Sequence, residues 1–189
     1  MRIRQLRLSL CFLGSALAVV AAACDETTGL PAPAFTNVED TVSLFALDGT
    51  PLTAPSGYNI QTRQALRTDQ TTSFDFAFNI TPAGQAVLLP TGALGLGSGS
   101  GIQVQGVPFD SVKTAPSGAY ADTVAVSVDS GTVAVAHSRA SQCVFGAIVF
   151  YYGKVQVLAI DPVARRIDLR VLVDQNCGYR DLEPGLPRR

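Results

Sequence analysis

The chain has 189 residues, 47% of them hydrophobic and 15% charged, with one His, four Cys and no Trp. That length suits one domain with at most a short extension, and the charged fraction is low against the roughly 25% of an average soluble domain. Such a chain is not a disordered polyelectrolyte. A formal net charge of −1 also lacks the dense Lys/Arg footprint of a generic nucleic-acid binder.

Arg2, Arg4 and Arg7 open the chain, and Leu8 to Ala23 follows without a charge. The run ends in Ala21-Ala22-Ala23, small side chains of the kind that fit the narrow subsites of a signal peptidase. A basic start, an apolar run and a small-residue box predict an export signal over residues 1–23, removed from the mature protein. The uncharged run is shorter than the roughly 20 residues that span a bilayer. An N-terminal anchor helix that stays attached is the alternative.

The next residue is Cys24. With its small-residue box, segment 1–24 resembles a bacterial lipoprotein precursor, in which the Cys after the box is lipidated and becomes the mature N-terminus. The resemblance implies a lipid on Cys24 and an exported protein anchored to a bacterial cell-envelope membrane, inner or outer. Such boxes usually carry Leu where this chain has Ala21. The same alanines satisfy an ordinary A-x-A cleavage site, which would release a soluble protein beginning at Cys24. Cleavage after Ala23 leaves 166 residues with 11 bases against 15 acids, a net charge of −4. A mature chain of that size can bury a core.

Residues 24–39 are expected to form the lipidated N-terminus and a flexible tether, because Pro31, Pro33 and small polar residues interrupt any period. Extended, residues 25–38 would reach on the order of 45 Å. A single β domain is expected over 40–183, with a short exposed tail at 184–189.

Period-two alternation runs through the body. Phe74, Phe76, Phe78 and Ile80 share one face and Asp75, Ala77 and Asn79 the other, as in a half-buried strand. Thr81-Pro82-Ala83-Gly84 turns the chain into a return strand over Gln85–Leu89. Residues 61–68 are ambiguous. The run from Gly92 to Gly101 holds five glycines, but it does not fit G-x-G-x-x-G and no βαβ unit surrounds it. It reads as a mobile loop. Val124, Val126 and Val128 alternate, Asp129-Ser130-Gly131 turns, and Val133, Val135 and His137 alternate back, which predicts a hairpin with Gly131 left-handed.

Ala147–Ile160 reads as a long strand, with a bulge expected at Gly153. Asp161-Pro162-Val163-Ala164-Arg165 is the turn. Ile167, Leu169, Val171 and Val173 then face the core, while Asp168, Arg170 and Asp174 face water. Thr53-Ala54-Pro55-Ser56-Gly57 recurs as Thr114-Ala115-Pro116-Ser117-Gly118, through two similar loops or a duplicated half-domain. No stretch carries a helical stripe of useful length. The fold expected is all-β, an antiparallel β-sandwich of roughly eight to ten strands, with a closed barrel as the alternative.

Cys11 leaves with the signal. Cys143 and Cys177 remain, and an exported chain meets an oxidising compartment. They flank the final hairpin, whose antiparallel pairing brings them together, so a disulfide is predicted. Loop closure gives it about 4 kcal/mol. A catalytic thiol or metal ligand is the alternative. In Asn176-Cys177-Gly178-Tyr179-Arg180, Gly178 supplies a positive φ, and Tyr179 and Arg180 face a ligand or cover the disulfide.

His137 is the one imidazole and would have to serve as base in any Ser-His-Asp or Cys-His arrangement. It shares parity with Val133 and Val135, which places it at the end of an inward-facing row. No H-E-x-x-H, G-x-S-x-G or P-loop motif is present, and no cofactor or metal is expected. Asp69, Asp75, Asp110 and Asp122 are available for a carboxylate-dependent hydrolase of envelope polymers, with no spacing that selects a pair, so no catalytic residue is assigned. The reading reached is a membrane-anchored lipoprotein with a non-enzymatic β domain. Its role is structural or the binding of an envelope polymer or protein, with Tyr151, Tyr152 and Tyr179 as a candidate exposed row. The hydrolase is the alternative.

Overall fold

The structure, a computed structural model, describes residues 30–97, 99–143 and 146–188. The expected signal and Cys24 lie outside the described residues. From Pro31 onward the chain forms one compact unit; its architecture is an antiparallel β-sandwich, with no closed barrel among the described residues.

The first sheet has five strands. They are β1 (Val38–Phe45), β12 (Arg166–Asp174), β11 (Tyr152–Asp161), β8 (Val133–His137) and β6 (Gly101–Gln105), in that spatial order. The second runs β3 (Gln64–Leu66), β2 (Gly57–Asn59), β4 (Phe76–Ile80), β5 (Ala86–Pro90) and β7 (Val126–Ser127). A small hairpin joins β9 (Ser141–Gln142) to β10 (Ile148–Val149). The core lies between the large sheets. Phe76, Phe78, Ile80 and Leu88 of the second face Val155, Val157, Ile167, Leu169, Val171 and Val173 of the first. Alternation placed Phe76, Phe78, Ile80 and the Ile167–Val173 row on shared faces, because every second side chain of a strand leaves on the same face.

Several expectations fail in informative ways. The tether is shorter than composition suggested. Asn176 Oδ1 accepts from the Ala34 and Phe35 amides at 2.7 and 2.9 Å, and the Tyr179 hydroxyl donates to the Pro31 carbonyl. β1 starts at Val38, and Asn37 bridges to Gly185. Residues 31–39 therefore belong to the folded body, and the segment from 184 is held as well. Composition missed this because β1 is an edge strand whose Glu39, Asp40 and Thr41 are exposed. Charges there protect an edge from further pairing but erase the apolar alternation.

The turn at Asp129-Ser130-Gly131 exists, with Gly131 at φ +88°, but it does not make a hairpin. Val128 donates its amide to Ala86 in the second sheet, whereas Gly131 donates to Val157 in the first. The chain crosses between sheets, and alternation on both flanks cannot distinguish a crossing from a return. The long strand divides into β10 and β11. Gly153 sits in regular register between Ala136 and Val173, and the irregularity falls between Val157 and Ala159. A Cβ on Gly153 would lie 3.0 Å from Val173 Cγ2, so this glycine serves close strand packing.

The outer face of the first sheet is covered too. Val133, Val135 and Leu172 form a second apolar cluster with Phe109, Val112, Ala115 and Leu182. The row containing Val133, Val135 and His137 therefore looks away from the inter-sheet core. Beneath this cover Lys154 is almost wholly buried. Its Nζ donates to the Phe109 and Val112 carbonyls at 3.0 Å each and sits 4.4 Å from the centre of the Phe109 ring. Burial lowers its pKa, and the two carbonyls compensate part of the lost hydration.

Asp174 does not face water but is fully buried. Its Oδ1 accepts from the Asn176 amide and Nδ2, both at 2.8 Å, while Oδ2 has no partner.

Candidate functional site

β8 and β11 lie side by side, with His137 opposite Tyr152. Gly101 on β6 pairs with His137 from the other side. This register gathers rings on the outer face, at the end of the sheet where β8 stops. The His137 ring lies 4.6 Å from Tyr120, 4.7 Å from Phe150 and 6.3 Å from Tyr152, all edge-on. Such edge-to-face geometry is favourable between aromatic quadrupoles. Phe150 keeps 37% of its surface exposed, while Tyr120, His137 and Tyr152 are half-buried. Arg180 borders the cluster, its guanidinium carbon 6.0 Å from the centre of the Tyr152 ring.

The chemistry of His137 follows from its contacts. Nδ1 donates to the Ser138 carbonyl at 2.8 Å, so the neutral ring carries its proton on Nδ1. Nε2 lies against Gly101, where a Cβ would be only 2.6 Å away. Burial lowers the pKa of the ring, opposed by the Ser138 carbonyl and by the Asp75 and Asp122 charges. Burial also raises the Tyr120 and Tyr152 hydroxyls, and Tyr120 donates to the Pro116 carbonyl at 2.9 Å. The result is a neutral aromatic surface with one cation at its border, suited to stacking and van der Waals contact.

The sequence-derived candidates are dispersed. Asp75 is buried, and its oxygens accept from the Ile60 and Arg139 amides at 2.8 and 3.0 Å. Its pKa is raised because burial outweighs those bonds. Asp69 pairs with Arg67, Asp110 pairs with Arg170, and Asp122 is exposed. No group of three His, Cys, Asp or Glu among the described residues is arranged to hold a metal ion.

The proposed tyrosine row is not a row. Tyr151 faces the main core, Tyr152 leaves on the opposite side of the sheet, and Tyr179 is buried with its hydroxyl on Pro31. Arg180 binds the Ala115 carbonyl through Nε, at 2.8 Å, and through Nη2. Cys143 and Cys177 are bonded, with Cα atoms 6.0 Å apart. Gly178 has φ +77° as expected.

The glycine-rich run is partly ordered. Thr91–Leu94 forms a 3₁₀ turn, and the Ser100 hydroxyl binds Thr91 at both its amide and its hydroxyl, each at 3.0 Å. At the opposite end of the sandwich a cleft of about 400 Å³ lies between the turns at Asp48, Thr81–Pro82 and Pro162. Arg165 borders it but spends Nε on the Asp48 carbonyl and Nη2 on that of Ile80. The aromatic cluster is thus the better candidate. Sequence reasoning missed it because Tyr120, His137 and Phe150 come from three separate segments. No known protein family, curated protein or solved structure matches this chain.

Proposed function

We propose that the protein is an exported, lipid-anchored component of a bacterial cell envelope, whose β domain acts by binding rather than by catalysis. One observation carries the anchor. Cys143 and Cys177 pair with one another, and Cys11 lies inside the expected signal, so Cys24 is left as the mature chain's one cysteine without a disulfide role. It stands directly after the small-residue box and seven residues before Pro31, where the folded body begins. Supporting the binding role is the aromatic surface around His137, since rings with a polar edge contribute large contact area at low conformational cost. An envelope polymer or protein is the partner class.

The test of the anchor is fractionation of Cys24→Ser in a bacterial host. The wild-type protein is expected in the membrane fraction and the variant in the soluble one, because dual acylation holds a protein firmly. A variant that still sediments with membranes after a salt wash refutes the lipid anchor.

A further inference from the structure

We propose that the end of the sandwich carrying Asn176, Cys177 and the β9–β10 hairpin faces the membrane directly and seats Phe35, Leu96 and Ile148 in its interfacial layer. This rests on the lipid anchor at Cys24 proposed above.

Four segments converge at that end. β12 finishes there and leads into residues 175–179, and β1 begins there, with Val38 opposite Val173. β8 ends there, with His137 opposite Tyr152, and leads into 138–151. The stretch 91–100 arrives there because β6 starts at Gly101, opposite His137. Residues 31–37 are fastened by Asn176 and Tyr179. The disulfide ties the β9–β10 hairpin to the same place.

Residues 31–37, 91–100, 138–151 and 175–179 together carry one formal charge, Arg139, which lies 4.0 Å from the Asp75 carboxylate; Arg180, beside the Tyr152 ring, and the exposed Asp122, packed on Gly92, border the same end. The turns of the opposite end carry Asp48, Asp129, Asp161, Arg165 and Arg166. On the charge-poor end Ile148 is 76% exposed, Phe35 57% and Leu96 42%. Large apolar side chains on a surface with few charges fit the boundary between headgroups and acyl chains.

Chain length selects the lipid surface over another occupant. Seven residue steps separate Cys24 from Pro31, a reach of at most about 25 Å. This end therefore stays within that distance of the surface to which Cys24 is fixed. A weak apolar contact then forms at the high effective concentration of an intramolecular event.

The absence of Trp gives a clean spectroscopic test. Ile148→Trp, Phe35→Trp and Val163→Trp are made in the full chain, purified in acylated form and reconstituted with phosphatidylethanolamine–phosphatidylglycerol vesicles, with and without brominated acyl chains. Val163 sits in the opposite turn and is 93% exposed. The proposal expects blue-shifted emission, strongly quenched by bromine, from the probes at 148 and 35, and water-like, unquenched emission at 163. Should the 148 variant fold poorly, the probe at 35 carries the same expectation. Unquenched emission at 148 and 35 in protein that floats with the vesicles overturns this orientation and leaves the anchor standing. Protein that does not float overturns both.

Discussion

Replacing Asp174 with Asn should stabilise the protein, and only above the pH at which the aspartate ionises. Asp174 has no exposed surface, and its Oδ2 makes no hydrogen bond of good geometry, although the Asn37 side chain is close enough to favour the carboxylate weakly. Burial pushes its pKa from 3.8 up to about 6, against the two bonds from Asn176 that favour the carboxylate. The folded state therefore holds this proton more tightly than the unfolded chain does. Below about pH 4 both states are protonated and the group is neutral in the balance. From about pH 4 to 6 the unfolded chain ionises while the fold keeps its proton, so stability is lost over that window; above 6 the fold carries the buried carboxylate and the loss is complete. At 1.36 kcal/mol per unit, the shift corresponds to about 3 kcal/mol at neutral pH.

Asp174→Asn keeps Oδ1 for Asn176 and puts an amide nitrogen where Oδ2 stood. The Asn37 side chain lies nearby, and its Oδ1 is also without a partner. Urea denaturation from pH 4 to 8 should show the variant more stable by on the order of 1–3 kcal/mol at pH 7.5. The difference should shrink toward zero near pH 4. Each kcal/mol should move the melting temperature by about 2–4 °C in a domain of this size. Shifted groups such as Asp75 and His137 act equally on both proteins and cancel in the difference. A variant less stable by the same amount at every pH would refute the reasoning.

Four further substitutions probe the packing and the His137 site. Gly101→Ala, which would place a Cβ 2.6 Å from His137 Nε2 and 2.7 Å from Tyr120 Cβ, should cost about 1–3 kcal/mol in urea denaturation. Gly118→Ala, with nothing within 4 Å, should stay within about 0.5 kcal/mol of wild type. Lys154→Met strands the Phe109 and Val112 carbonyls and should lose on the order of 1–3 kcal/mol. His137→Gln should lose about 1–2 kcal/mol at pH 7 without abolishing any activity a screen finds. Because folding lowers the His137 pKa below 6.5, wild type should lose stability as pH falls through 6.5. The variant should lack that component in a thermal-melt series.

The final hairpin was readable because Ile167, Leu169, Val171 and Val173 alternate without a break and Asp161-Pro162 marks the turn. The disulfide followed from the same pairing. What escaped is what a period of two cannot encode, namely which layer covers the other face. Leu172 and Lys154 look like solvent-side residues of their strands, and the Val133–Val135 row like the inter-sheet core, until the segment around Phe109 and the chain near Leu182 close over that face. The burial of Asp174 had one local trace, an Asp two residues before an Asn, the spacing of a side-chain-to-backbone turn. The His137 cluster left none, since its rings meet only after β6, β8 and β11 are aligned.

The central claim is that Cys24 is the acylated mature N-terminus. Mass spectrometry of the membrane-extracted protein, digested and analysed for its N-terminal peptide, tests it most directly. The account predicts a peptide beginning at Cys24 whose mass exceeds the sequence value by that of a lipid. A peptide beginning at an unmodified Cys24, or one retaining residues of the 1–23 segment, would contradict it.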